Sequence, residues 1–229
     1  MGPVAEITVW TGLFVGMHLL LSSGPIRSRL VALIGTQPFR GLYSLVAIGT
    51  FIPMLVAFGH NKHAGLMLWN LRDEVVVRGA TWLLMFAALI LVIGSLINPN
   101  PAAIGAPSRN RPSGILKITR HPGFSAFTCF GVGHLLMNGW TGDVVFFGGF
   151  AVLGIAGGIH QDRRKLREMG APYREFLAAT SFFPGAALIG RRAEWSHRDV
   201  PWTAIALGII AGAVLVIFHP RIFGGYPLG

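Results

Sequence analysis

The sequence predicts an all-α fold: a polytopic transmembrane helical bundle of about six spans, with a cytoplasmic amphipathic helix after the fifth. Three observations carry this. Hydrophobic residues make up 52% of the chain and charged residues only 12%, fewer charges and more apolar surface than a soluble domain can accommodate. Mean hydropathy is +0.59. The apolar residues also fall in runs close to the ~20 residues that a spanning helix requires. The 229 residues fill one such domain, 1–229, and leave no room for a second, soluble one.

The runs cover residues 4–21, 42–59, 80–97, 123–138, 144–159 and 202–219. Glu6 stands where a cleavable signal would carry Lys or Arg, so the first helix is expected to be retained. Pro53 removes a backbone hydrogen bond midway through the second run and is expected to kink it. Runs four and five are short and separated only by residues 139–143, which predicts a tight helical hairpin. Gly12 and Gly16, Gly154 and Gly158, and Gly208 and Gly212 each have the small-xxx-small spacing that lets backbones approach, although glycine is frequent in membrane helices generally.

The net charge of +10 is not a nucleic-acid signature, because the cations lie in loops between apolar runs. Of the 19 Lys and Arg residues, 15 follow runs one, three and five; Lys62, Arg72, Arg78 and Arg221 lie on the other side. The positive-inside rule therefore predicts a cytoplasmic basic side in contact with lipid headgroups, and termini that both face the periplasm. A lone cysteine, Cys129, excludes an internal disulfide and reads as a core thiol.

Ionisable groups inside a span are the first candidates for chemistry, since hydrocarbon does not solvate them. His18 lies toward the basic end of the first run, with Thr11 and Ser22 on its face. His134 lies in the fourth, above Phe127 and Phe130. Each reads either as a core imidazole bonded to its surroundings or as a ligand. Neutral imidazoles among aromatic rings suit haem iron, whereas zinc would need three or four clustered ligands that the sequence does not show. His60 and His63 form an i, i+3 pair that reads as solvated loop in preference to a metal site, and His160, His197 and His219 carry no assignment.

Two further stretches stand out. Lys117-Ile118-Thr119-Arg120-His121-Pro122 leads into run four, where Pro122 suits a first helical turn and the free amides with Arg120 and His121 could hold an anion. It reads equally as a positive-inside anchor. From His160 to Pro184, Asp162, Arg163 and Arg164 open a charged helix continuing through Tyr173 and Phe176, which is expected either to lie on the membrane surface and close over Arg120 and His121 or to be a plain connector.

Taken in order, the stretches Gly16-Met17-His18, Phe39-Arg40-Gly41-Leu42-Tyr43-Ser44-Leu45, Ile118-Thr119-Arg120-His121-Pro122, His134, Asp162-Arg163-Arg164-Lys165-Leu166 and Thr180-Ser181-Phe182-Phe183-Pro184 resemble the NnrU family of bacterial membrane proteins and its plant relative, 15-cis-zeta-carotene isomerase. They cover roughly residues 10–185. The resemblance implies a multi-pass protein of the bacterial inner membrane that binds haem b, with His18 and His134 as iron ligands and His121 in reserve. It implies a haem-dependent isomerase of a hydrophobic polyene, or a factor in nitrogen-oxide metabolism and denitrification; no catalytic residue is assigned. Where the plant enzyme has a cysteine three residues before the second histidine, this chain has Gly131. His18 and His134 are expected at different depths, the latter about 18 Å along its helix at 1.5 Å per residue, which makes His18 with His121 a competing pair. Arg120, His121, Asp162, Arg163 and Tyr173 also resemble the cofactor region of isoprenylcysteine carboxyl methyltransferase, which implies S-adenosylmethionine as an alternative cofactor. Gln161 and Asp162 stand where that family carries two glutamates. A non-catalytic membrane assembly factor is the third reading.

Overall fold

Six long helices stand side by side in a row, in an order that differs from their order along the chain. The computed structural model describes residues 1–98 and 112–224. In chain order the elements are α1 (Pro3–Ser22), α2 (Gly24–Ile34), α3 (Thr36–His60), α4 (Val75–Ile97), α5 (Ile115–Ile118), α6 (Pro122–Met137), α7 (Thr141–Met169), α8 (Ala171–Ala179), α9 (Ala186–Ile189) and α10 (Trp202–Phe223). Across the row they run α3, α1, α7, α6, α4, α10. No strand occurs among the described residues, only an isolated bridge between Met67 and Trp140.

The all-α membrane bundle is therefore observed. Helices α1, α3, α4, α7 and α10 are long and apolar enough to cross a membrane. The expected fourth span is α6, whose 16 residues reach about 24 Å between α4 and α7. Successive long helices alternate in direction, so all described cations fall at the ends the loop pattern assigned them. Arg109 and Arg111 lie outside the described residues. At one end, here the basic end, are Arg27, Lys117, Arg120 and the cations of α7 and α8; at the other, Lys62 donates to the carbonyl of Phe223 at 2.6 Å.

Three boundaries differ from expectation. The charged stretch beginning at Asp162 is not a separate surface helix but the continuation of α7, whose 29 residues make a rod of about 43 Å, so its last turns outrun the hydrocarbon. The chain breaks only at Gly170, where φ is +64°, a left-handed conformation that glycine adopts without penalty. The amphipathic helix after the fifth span is α8, and it lies against the bundle: Tyr173 and Phe176 are buried with Leu91, Ile115, Leu116 and Ala126. Helix α3 begins at Thr36, nearly two turns before the apolar run at 42, and continues through Pro53.

Of the three glycine pairs, two make close contacts. A Cβ at Gly208 or Gly212 would meet Ile90 and Phe86 of α4. The approach of α6 to α7 is closer still: a Cβ on Gly131 would lie 2.5 Å from the Phe147 carbonyl and 2.8 Å from the Ala151 nitrogen, and one on Gly154 would lie 2.5 Å from the Phe124 carbonyl. Gly12 and Gly16 meet nothing within 4 Å, so their spacing marks an open face of α1 and not a helix contact. Gly131→Ala is accordingly expected to force the backbones apart and cost about 1–3 kcal/mol. Gly12→Ala and Gly16→Ala should leave stability unchanged or raise it by up to ~1 kcal/mol through helix propensity. Thermal unfolding in detergent separates the signs; equal melting temperatures for all three variants would contradict the packing.

Candidate functional site

At the basic end, α5, α6, α7 and α8 meet around one carboxylate. Asp162 Oδ2 accepts from Arg120 Nε at 2.9 Å and Nη2 at 2.8 Å. Its Oδ1 accepts from His121 Nε2 at 2.8 Å and from the Tyr173 hydroxyl at 2.7 Å. The other ring nitrogen of His121, Nδ1, faces the Gln161 side-chain oxygen at 2.9 Å. His121 is 2% exposed. Local structure explains the gathering. Pro122 starts α6 directly after His121, the left-handed turn at Gly170 swings Tyr173 back onto α7, and residues 181–185 dock on 118–120. There Arg120 N–H donates to Ser181, Gly185 N–H to Ile118 and Thr119 Oγ1 to Phe182. The Phe182 ring lies edge-on to His121 at 5.4 Å and under the Arg120 guanidinium at 5.6 Å.

Arg120, His121, Asp162 and Tyr173 are thus brought together, and what they face is one another. Arg163 is not among them: one residue further round α7 it points outward and is exposed. The cavity beside the cluster, lined by Thr128, Cys129 and Phe182 among others, is about 60 Å³, against the ~300–1,000 Å³ of small-molecule sites.

His18 and His134 solve burial differently. His18 Nδ1 lies 2.7 Å from the Phe14 carbonyl and His134 Nδ1 lies 3.0 Å from that of Phe130, each one turn back on its own helix. A carbonyl can only accept, so the proton sits on Nδ1 and the Nε2 lone pair is left over. That Nε2 has no hydrogen-bond partner among the described residues in either histidine. Their surroundings are aromatic. His18 contacts Phe14 at 4.4 Å and Tyr43 at 5.4 Å; His134 contacts Phe130 at 4.3 Å and stacks on Phe147 at 4.5 Å and 16°.

The two imidazoles are not in ring contact. A path of rings joins them instead, from Phe14 to Phe150 at 6.2 Å and from Phe150 to Phe130 at 5.1 Å. The donor chemistry of either histidine would suit a haem iron. A porphyrin ligated by both at once requires these rings to turn aside. The competing pair, His18 with His121, would have to break the bonds that occupy both His121 nitrogens.

Sequence reasoning passed over a second buried carboxylate. Asp143, in the first turn of α7, is 0% exposed and accepts from His63 Nδ1 at 2.7 Å and from its backbone N–H at 3.2 Å. His63 is the solvated loop residue the sequence indicated, with 42% of its side chain exposed, and from that turn, at φ +58°, it reaches Asp143. The available signal was an acidic residue at a helix N-terminus, where the dipole favours it. The strap 61–74 carrying His63 also ties down the α6–α7 turn, with Trp69 Nε1 donating to Leu135 and Arg72 Nε to Met137.

The family described as NnrU protein matches residues 7–227 of this chain. The 15-cis-zeta-carotene isomerase of the Arabidopsis thaliana chloroplast is 28% identical over 167 residues, 70% of this chain and 44% of the relative. That of Zea mays is 24% identical over 200 residues, 84% of this chain and 53% of the relative. The chain therefore spans about half the length of these curated relatives. No solved structure matches.

The Asp162 cluster has a measurable signature. Burial, together with the Asp162 carboxylate, raises the Tyr173 hydroxyl well above the ordinary phenol value of 10.0. The unfolded chain then loses this proton first, so the stabilisation is intact below about pH 10 and is lost as pH rises further. Tyr173→Phe should cost about 1.5–3 kcal/mol at neutral pH, the usual worth of a hydrogen bond to a charged group, and should flatten the decline above pH 10. Melting curves across that range test it; parallel declines in both proteins would count against the bond.

Proposed function

The chain belongs to the NnrU family, and on that premise we propose that it is a haem-b-binding membrane protein that isomerises an extended polyene. A carotenoid such as zeta-carotene is the kind of substrate that the relatives' name supplies. The observation that carries this reading is the matched bonding of His18 and His134: each donates Nδ1–H to a carbonyl on its own helix, and Nε2 has no hydrogen-bond partner among the described residues. That arrangement is the usual supporting bond of a metal-bound imidazole.

Bound haem would supply an iron able to weaken a double bond of the polyene for rotation without net redox change. His18 and His134 would hold it through Nε2. Phe14, Phe130, Phe147 and Phe150 exclude water from the interior and offer flat apolar faces to a conjugated chain. No residue is needed to move a proton, since cis-to-trans rotation transfers none. We assign the basic end to the cytoplasm by the positive-inside rule, which puts the start of α1 and the end of α10 on the periplasmic side of a bacterial inner membrane. Methyl transfer is the weaker reading, because the Asp162 cluster spends its polar groups on itself beside a cavity too small for a nucleoside cofactor. A role in nitrogen-oxide metabolism is compatible with the same haem site.

Reduced-minus-oxidised absorption spectra of the detergent-purified, haem-reconstituted protein are expected to show a Soret band. His18→Ala and His134→Ala should each lower haem retention at least about tenfold. Absence of the band in the unmodified protein rejects the haem reading, and wild-type spectra in both variants reject this ligand pair.

A further inference from the structure

A second constellation at the basic end carries more positive charge than it can balance. Glu168, in the last turn of α7, pairs with Arg27 of α2 at 3.3 Å, while Arg164 Nε and Lys165 Nζ each stand off at 3.7 Å. The Arg164 and Lys165 side chains are only 12% exposed, and Arg164 Nε is buried with no hydrogen-bond acceptor. The Arg167 guanidinium adds a fourth cation, pressed against Gly24 at the start of α2. That helix has no side-chain cap on its first turn, so its end adds unsatisfied amides of positive polarity.

Cations held this close repel one another through a medium less polar than water. A buried guanidinium N–H without an acceptor is costly as well. Both penalties disappear if an anion with several oxygens sits among them. One carboxylate cannot serve three side chains, as the two 3.7 Å separations record. We propose that Arg27, Arg164 and Lys165 form a site for a phosphate group. Two planar guanidinium forks and one ammonium suit tetrahedral phosphate oxygens. Phosphate reaches this position either as the headgroup of an anionic phospholipid, since the site is at the interface end of α7, or as a free ion.

Native mass spectrometry of the detergent-solubilised chain, delipidated and then offered phosphatidylglycerol or phosphatidylcholine, reads the site without involving haem or a polyene. The expected result is a one-to-one phosphatidylglycerol adduct, retained about tenfold better than phosphatidylcholine. Arg164→Gln combined with Lys165→Gln should abolish that preference, while Arg163→Gln, on the exposed side of the same turn, should keep it. Glu168→Gln removes the competing carboxylate and should tighten binding several-fold, a gain that misfolding cannot imitate. Displacement of the adduct by millimolar inorganic phosphate assigns the site to phosphate in general; persistence assigns it to the lipid headgroup. Equal retention of the two lipids, or no change in either the double variant or Glu168→Gln, overturns the proposal.

Discussion

The close approach of α6 to α7 is the contact on which the rest of the bundle depends. Glycines at 131, 154, 157 and 158 remove the side chains that would separate the two helices, and the atoms that fill the space belong largely to Phe124, Thr128, Phe147 and Phe182. Because the helices run antiparallel at this distance, one contact fixes both of their ends. Toward one end His134 stacks on Phe147; toward the other His121 reaches Asp162. Helix α1 then packs on the opposite side of α7, where Thr11 lies over Gly149 and Phe14 reaches Phe150. The histidines thus owe their depths to glycines that carry no chemistry.

Polar groups inside such a bundle must find partners in the protein, since lipid offers none. The three histidines that the sequence singles out do so in two distinct ways, and the difference sorts them. His121 has both nitrogens engaged by side chains from a neighbouring helix, which turns it into a tie between α6 and α7. His18 and His134 each use one nitrogen, on their own backbone. The same economy explains Asp143: a carboxylate fully out of water at a helix N-terminus, held from a loop by the ring and the backbone N–H of His63. Each buried charge thereby fastens two segments that apolar packing alone would let slide.

The spans were legible because hydropathy reports burial in lipid directly, and the alternation of cations followed from it. The continuation of α7 was not, because its last ten residues change from apolar to charged while the backbone periodicity continues; composition marks where the hydrocarbon ends, not where a helix ends. Arg163 was grouped with Asp162 through a shared motif, yet adjacent residues on a helix point about 100° apart, so only one could enter the cluster. The Gly12 and Gly16 spacing equals that of Gly154 and Gly158, and spacing alone does not say which face meets a partner. His63 and Asp143 are 80 residues apart, with no local pattern to connect them. The resembling stretches, by contrast, were informative beyond any one of them: 118–122 and 180–184 hydrogen-bond to each other around Asp162, and Tyr43 stands against His18.

The length of α7 separates two kinds of chemistry along one rod. Its first two-thirds lies at depths where a charge is expensive, and there the bundle presents phenylalanine rings and imidazoles that each keep a proton on Nδ1. Its final turns extend to where water and headgroups reach, and there Asp162, Arg164, Lys165 and Glu168 follow in quick succession. An apolar ligand entering from the bilayer would meet the former without crossing the latter, because α1, α7 and α6 stand in a row and are not closed into a ring. A single unbroken α7 thus joins the phenylalanine-lined middle of the bundle to its charged basic end.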